Sequence, residues 1–264
     1  MKTTAIIQAR MGARRLPGKV LMELSGRPVL EHVINRVMKA RNVSRIIVAT
    51  SLDREDKKIA DFAKSRGVNV YRGSQDDVLD RFYRAALCYS AEHIIRITAD
   101  CPVLDPGVID RVADMYFGKE ADYCSNVMVP TFPDGEDVEI FSFKSLKEAW
   151  ERAELPSERE HVTPYIRNHP ERFKCASLEN DQDLSHKRWT LDRIEDYRFL
   201  EVLFGNLYKE NPFFGMGEIL GFLRGNPEAG DINSNIARNE GYARSLEEDE
   251  KVIKDQQRAG GGLA

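Results

Sequence analysis

The first half of the chain alternates two kinds of apolar pattern. "TAIIQA", "SRIIVATS", "VNVYRG" and "HIIRITADCP" are short apolar runs of strand length. They are interleaved with "RPVLEHVINRVMKA", "REDKKIADFAKSRG", "DDVLDRFYRAALCYSA" and "DPGVIDRVADMYFGKE". In the first of these, Val29, Leu30, Val33, Ile34 and Val37 recur at helical spacing. The second stops at Gly67, a residue type that ends many helices. Strands alternating with amphipathic helices predict an α/β fold: a three-layer, mostly parallel, Rossmann-like sheet flanked by helices.

From about residue 121 the rhythm changes to an elaborated α+β second half. "DYCSNVM", "EDVEIFSF" and "FKCASLE" read as strands without regular crossover helices. "EREHVTPYIRNHP" predicts one short helix stopped by Pro170, "KRWTLD" a later strand, and "DYRFLEVLFGNLY" an amphipathic helix. "SLEEDEKVIKDQQRAGGGLA" predicts a charged helix fraying into a Gly-rich tail. With no internal repeat and no long linker, the simplest partition is one domain over 1–245: a core at 1–125, an elaboration at about 126–185 and a return to the core at about 186–245. The charged helix and flexible tail occupy 246–264.

Composition narrows the function classes. The 264 residues carry a net charge of −4, which offers nothing to a nucleic acid or an anionic membrane. No apolar run is long enough to span a bilayer, and the N-terminus reaches charge too soon for a signal peptide. Four widely spaced cysteines, with no C-x-x-C pair, read as reduced thiols of a cytoplasmic protein. The histidines show no zinc-ligand spacing.

Against this acidic background, "QARMGARRLPGK" holds Arg10, Arg14, Arg15 and Lys19 and no acid. It leaves the first strand, and parallel sheets bind ligands beyond the carboxyl ends of their strands. A triphosphate suits such a cluster: arginine forks match phosphate oxygens and lysine offers a point charge. Gly12 and Gly18 let backbone N–H groups approach a ligand, and Pro17 stiffens the turn. The string is no P-loop, because five residues separate the glycines and Val20 follows Lys19; a dinucleotide fingerprint is also missing. On composition alone, a solvated basic turn is the other reading.

The order of residues decides between them. "IIQARMGARRLPGKVL" closely resembles the signature of the cytidylyltransferase family, the type of the spore-coat polysaccharide protein SpsF and of the synthetases that make CMP-activated acidic sugars. It departs once, with Ala13-Arg14 in place of Ser-Thr, losing a hydroxyl and gaining a charge. The resemblance implies that Arg10, Arg15 and Lys19 are the catalytic cations that hold a nucleoside triphosphate, within a nucleotide-binding loop that includes Gln8, Ala9 and Gly12. "RITADCPVLDP" and "RWTLDRIEDYRFL" resemble further family strings, and imply Asp100 and Asp192 as metal ligands. Asp105 and Asp196 fit better as helix caps. Mg²⁺ needs only one or two protein carboxylates. Read without the family, Asp100 fits a cap or turn equally well.

"YRGSQDDVLDRF" likewise implies Arg72, Gly73, Ser74, Asp77, Val78 and Arg81 near the nucleotide, the alternative being that Asp77 merely caps a helix and Arg81 faces solvent. In "FPDGEDVEIFSF", alternation puts Asp137 and Glu139 on one strand face. With Glu160, His161 and Tyr165 of "EREHVTPYIR" they are candidates for acceptor binding; an exposed strand and a core or interface histidine are the plainer alternatives.

The resemblance therefore implies an Mg²⁺-dependent cytidylyltransferase that activates a sugar acceptor with CTP and releases pyrophosphate, with the elaborated half binding the acceptor and pairing a homodimer. Two rival readings differ from it in what the sequence should carry. A GT-A-like glycosyltransferase would present Asp-x-Asp where this chain has Asp100-Cys101-Pro102; its only such triplet, Asp181-Gln182-Asp183, lies in a polar loop. A non-catalytic nucleotide-binding protein would be expected to have lost the lysine or a metal carboxylate, and this chain keeps both.

Overall fold

Ile6 and Ile7 are neighbours in β1 (Thr3–Gln8), both fully buried, and they belong to different hydrophobic clusters. That is the two-residue period of a strand covered on both faces. In the computed structural model, which describes residues 3–238 and 240–260, β1 is an interior strand of a seven-stranded sheet. It pairs in parallel with β4 (Val43–Ser51) on one side and β6 (His93–Thr98) on the other. A two-residue ribbon, β2 (Glu23–Leu24) and β3 (Arg27–Pro28), intervenes between β1 and β4 in sequence. β5 (Asn69–Gly73) extends the sheet in parallel beyond β4.

Beyond β6 the order continues through β8 (Glu139–Ser142), β7 (Tyr123–Ser125) and β9 (Cys175–Ser177). β8 runs antiparallel to both its neighbours and is the one reversed strand. The chain winds outward from β1 to β5, then restarts on the other side of β1 at β6. The crevice at such a switch point is where open sheets bind ligands. The loops that leave β1 and β6 both open there.

One face is covered by α1 (Val29–Lys39), α2 (Lys57–Ser65) and α4 (Pro106–Gly118), the other by α3 (Val78–Cys88), α5 (Phe143–Arg152) and the region after it. Asp105 starts α4 by accepting the Gly107 N–H at 2.7 Å, and Gly67 follows α2 with φ +72°. A third cluster gathers Trp189 and Leu191 with α8 (Ile194–Leu207), α9 (Met216–Gly225) and α10 (Pro227–Asp231), and packs on Leu24, Val29 and Val103. Among the described residues, no helix is long and apolar enough to cross a membrane.

Three expectations are corrected. "KRWTLD" forms no strand, only an isolated bridge between Arg188 and Asp134. Arg188 to Leu191 are all buried, but the Trp189 N–H bonds Asp134 O and the Leu191 N–H bonds Asp100 O, two separate segments. The "EREHVTPYIRNHP" helix is split into α6 (Pro156–His161) and α7 (Pro164–Asn168), because Val162 takes φ +73° and Pro164 starts a new turn. The charged helix, α11 (Glu240–Gly260), begins ahead of the expected 246. The glycines expected to end it beyond 260 lie outside the described residues.

Candidate active site

Met11 ties the loop after β1. Its carbonyl accepts the N–H groups of both Ala13 and Gly18 at 2.9 Å. Gly18 sits at φ +75°, a left-handed conformation that strains any other residue, and this turn launches Lys19 into a short 3₁₀ segment. Lys19 is 7% exposed, and its Nζ donates to Asp100 Oδ2 at 2.7 Å and to Asp192 Oδ1 at 3.0 Å. Burial alone would lower the lysine pKa, yet Asp100 and Asp192 outweigh it and the ammonium is held above its ordinary value. Burial works against both carboxylates as well, and Lys19 holds both below the usual range.

Three features bring Asp192 to Asp100 across 92 residues of sequence. The Leu191 N–H donates to Asp100 O at 2.8 Å, docking the segment on the end of β6. Asp196 accepts the N–H groups of Asp192 and Arg193, each at 2.9 Å, and so fixes the turn into α8. Arg188, nearly buried, clamps Asp196 through Nε at 2.8 Å and Nη2 at 3.0 Å, and Asp134 through Nη1 at 2.8 Å. Gly135 makes the packing possible: at φ +111°, a Cβ there would meet the Trp189–Thr190 backbone at 2.7 Å.

These groups share one cleft of about 350 Å³ at the switch point. Its cations come mainly from the loop. Arg15 pairs with Asp192, and with Glu240 at 3.3 Å; Arg10 lies 3.9 Å from Glu160. Arg81 is buried beneath them, its Nη1 donating to the Ser74 and Gln75 carbonyls, and burial pulls its pKa down to about 10. The floor holds Asp134 and Asp137. Arg238 donates to Asp137 at 2.6 Å, but burial prevails and pushes that carboxyl up to about 7. The far wall is Glu160, His161 and the first turns of α11. Ser245 donates to Glu160 at 2.7 Å and lies 3.0 Å from His161 Nε2.

A family model described as cytidylyltransferase matches residues 4–214 of this chain. The chain belongs to the cytidylyltransferase family. It is 32% identical to the spore coat polysaccharide biosynthesis protein SpsF of Bacillus subtilis, over 85% of this chain and 95% of that protein. It is 40% identical to the uncharacterized protein MJ1063 of Methanocaldococcus jannaschii, over 94% of this chain and 100% of that one. A solved cytidylyltransferase from Leptospira borgpetersenii superposes with TM-score 0.83 at 32% identity, over 90% of this chain and 98% of its own.

Within this cytidylyltransferase, the cleft gathers Gln8, Ala9, Arg10, Arg15, Lys19, Val78, Arg81, Asp100, Asp137, Glu160, His161 and Asp192. Other expected residues lie elsewhere. Gly12 faces a separate hollow behind the loop, with Asp53, Asp56 and Gln75. Arg72 turns onto the carbonyls of Ser51 and Asp53, at 2.8 and 2.7 Å. Gly73 closes β5 against Arg81, and Ser74 accepts the Asp77 N–H at 3.0 Å. Asp77 caps α3 at 2.8 Å and pairs with Arg159. Glu139 is buried among Arg96, Tyr123 and Thr163; burial opposes its charge, but Arg96 and Arg167 keep its pKa low. Tyr165 packs in the core against His169 and Phe173.

Sequence reasoning missed Asp134, Arg188 and Thr190, although "FPDGEDVE" and "KRWTLD" contain them, and it missed Ala237, Glu240, Tyr242, Arg244, Ser245 and Glu248, which follow the family match. Arg14, Arg81 and Arg244 are the cleft guanidiniums with no acidic side chain in salt-bridge range among the described residues, and Arg81 spends its bonds on backbone carbonyls. A divalent cation fits the donor set. Asp100 and Asp192 aim hard oxygens at one point, now held by Lys19 Nζ, and no third acidic, His or Cys side chain joins them among the described residues. Two carboxylates leave the remaining positions to phosphate and water, as Mg²⁺ prefers.

Proposed function

We propose that this cytidylyltransferase transfers CMP from CTP to a hydroxyl of a sugar and releases pyrophosphate. The observation that carries the reading is the meeting of Lys19 with Asp100 and Asp192 under a loop of three further cations, in one cleft. Arg10, Arg15 and Lys19 bind the triphosphate and balance the charge gained by the leaving pyrophosphate. The acceptor oxygen attacks the α-phosphorus as the bond to pyrophosphate breaks, so the chain's task is alignment rather than covalent participation. The hydroxyl proton passes to a basic group of the cleft, whose lining includes the carboxyl groups of Asp134, Asp137 and Glu160. Asp100 and Asp192 would hold Mg²⁺ or a similar ion, which when bound supplies positive charge to phosphate oxygens and acidifies a hydroxyl.

The acceptor half of the cleft is the wall built by Glu160, His161, Tyr242, Arg244 and Ser245. The polysaccharide role in the name of the Bacillus subtilis relative supports a sugar there. The test is a pyrophosphate-release screen crossing the four ribonucleoside triphosphates with free sugars. CTP with at least one sugar should give the fastest release. Release from another nucleotide in preference to CTP, or from none, would contradict the reading.

A further inference from the structure

Asp56 stands just before α2 with helical backbone angles, and its side chain bonds no N–H of that helix. It is 2% exposed, and both oxygens are committed elsewhere. Oδ1 accepts the Met11 N–H at 2.6 Å; Oδ2 accepts the Ser51 hydroxyl at 2.5 Å and the Ser51 N–H at 3.2 Å. The carboxylate thus joins the end of β4 to the loop after β1. It joins the loop at one particular residue. The peptide groups of Met11 take Asp56 on the N–H side and both Ala13 and Gly18 on the carbonyl side. Gly18 in turn is the left-handed residue from which Lys19 departs.

The first N–H groups of α2 are met by the Arg54 and Glu55 carbonyls, which leaves the Asp56 carboxylate to the loop. A loop of three arginines and a lysine has reason to drift, because its charges repel one another and its glycines allow many conformations. A buried charged acceptor on its central peptide group restricts that freedom. We propose that Asp56 is the positioning residue of the triphosphate loop: it fixes Met11, and through Met11 the Gly18 turn that delivers Lys19 to Asp100 and Asp192. It acts through Lys19 and does not line the cleft. The inference rests on the nucleotide reading given above.

A double-mutant cycle on CTP affinity tests it, using the full chain, calorimetry and Mg²⁺ throughout. Asp56→Ala should weaken CTP binding about tenfold in the parent, as coupled neighbours do, and by less than about threefold in a Lys19→Ala background. A residue with only a structural role would lower affinity by the same factor in both backgrounds, and that result would overturn the proposal. So would an unchanged affinity in folded Asp56→Ala. Should Asp56→Ala not fold, Asp56→Asn takes its place in the cycle, because it keeps one acceptor oxygen of the same size. It should lose about threefold in the parent and nothing measurable beside Lys19→Ala; equal losses again count against the idea. Tight CTP binding without coupling would reject the role of Asp56 alone. Failure of the parent to bind CTP would remove the nucleotide reading together with it.

Discussion

Two stretches of chain bring charge to the same cleft by opposite means. The loop of residues 8–19 is local: consecutive residues, four cations, no acid, and a conformation tied by its own backbone at Met11. The start of α11 arrives from the other end of the sequence and supplies acids. Glu240 bonds Arg15 at 3.3 Å and Arg193 at 2.7 Å. Asp249 accepts the Ser157 N–H at 2.8 Å and so anchors the helix over α6. Each stretch is electrostatically incomplete without the other. Arg15 and Lys19 hold acidic partners within the protein, and Arg10 lies close to one, so a polyphosphate bound here would compete with carboxylates at three of the loop's four cations.

The comparison can be broken most severely at the clamp that orders the second half. Arg188 faces Asp134 and Asp196 with 8% of its side chain exposed, whereas Arg15 in the loop is 29% exposed. Removing one partner of a buried pair strands the others, so Arg188→Ala should cost about 3–5 kcal/mol in urea denaturation. Arg15→Ala should cost less than about 1 kcal/mol. Similar losses for the two would show that loop and clamp are held alike.

The next effect is catalytic. Lys19→Ala should forfeit on the order of 2–4 kcal/mol of transition-state stabilisation in pyrophosphate release, the range seen when one oxyanion donor is removed. Near-normal turnover would take Lys19 out of the machinery. Asp100→Asn should raise the Mg²⁺ concentration needed for half-maximal rate; a titration matching the parent would free Asp100 of its metal role.

A smaller effect tests the competition itself. Glu240→Gln should tighten CTP binding about threefold, since a partly exposed ion pair is worth less than about 1 kcal/mol. Weaker binding in that variant would make Glu240 a helper of the nucleotide and not its rival.

A separate effect is a pH slope on the far wall. Burial first, and then Arg96, push His161 down to about 4 from an ordinary 6.5. The unfolded chain therefore takes up its proton at higher pH than the fold, and this group removes stability as pH falls from about 6.5 to about 4. Asp137 works the other way: with its carboxyl raised to about 7, its contribution grows as pH falls from there toward the ordinary carboxylate range. Melting temperatures across this window should fall less steeply in His161→Gln than in the parent. Parallel curves would mean that His161 is not held neutral by the fold.

How much was legible follows the same division. Strands and helices of the first half announce themselves because both sheet faces are buried, so apolar runs and amphipathic spacing translate directly into layers. That Lys19 and Asp100 share a rim was also readable, since both follow strand ends there, whereas Asp192 was reached only through the family resemblance, because no strand carries it to that rim. Past residue 126, position in sequence stops implying position in space. "KRWTLD" has the residue types of a strand, but its backbone bonds go to two unrelated segments. Tyr165 stands four residues from His161, yet the φ +73° of Val162 and the restart at Pro164 send it into the core. Arg72 and Asp77 carry the chemistry of a binding site, but their polar atoms are consumed by carbonyls, a helix cap and Arg159. Asp134, Arg188 and Asp196 form one network over 62 residues of separation, and no local pattern reports such pairing.

The most direct test is a crystal structure of the full chain with CTP and Mg²⁺. The account predicts that the phosphates lie along residues 10–19, with the metal on Asp100 and Asp192 and Lys19 moved from the carboxylates to a phosphate oxygen. Phosphates bound outside this cleft, or a Lys19 still bonded to both aspartates while the nucleotide sits elsewhere, would contradict it.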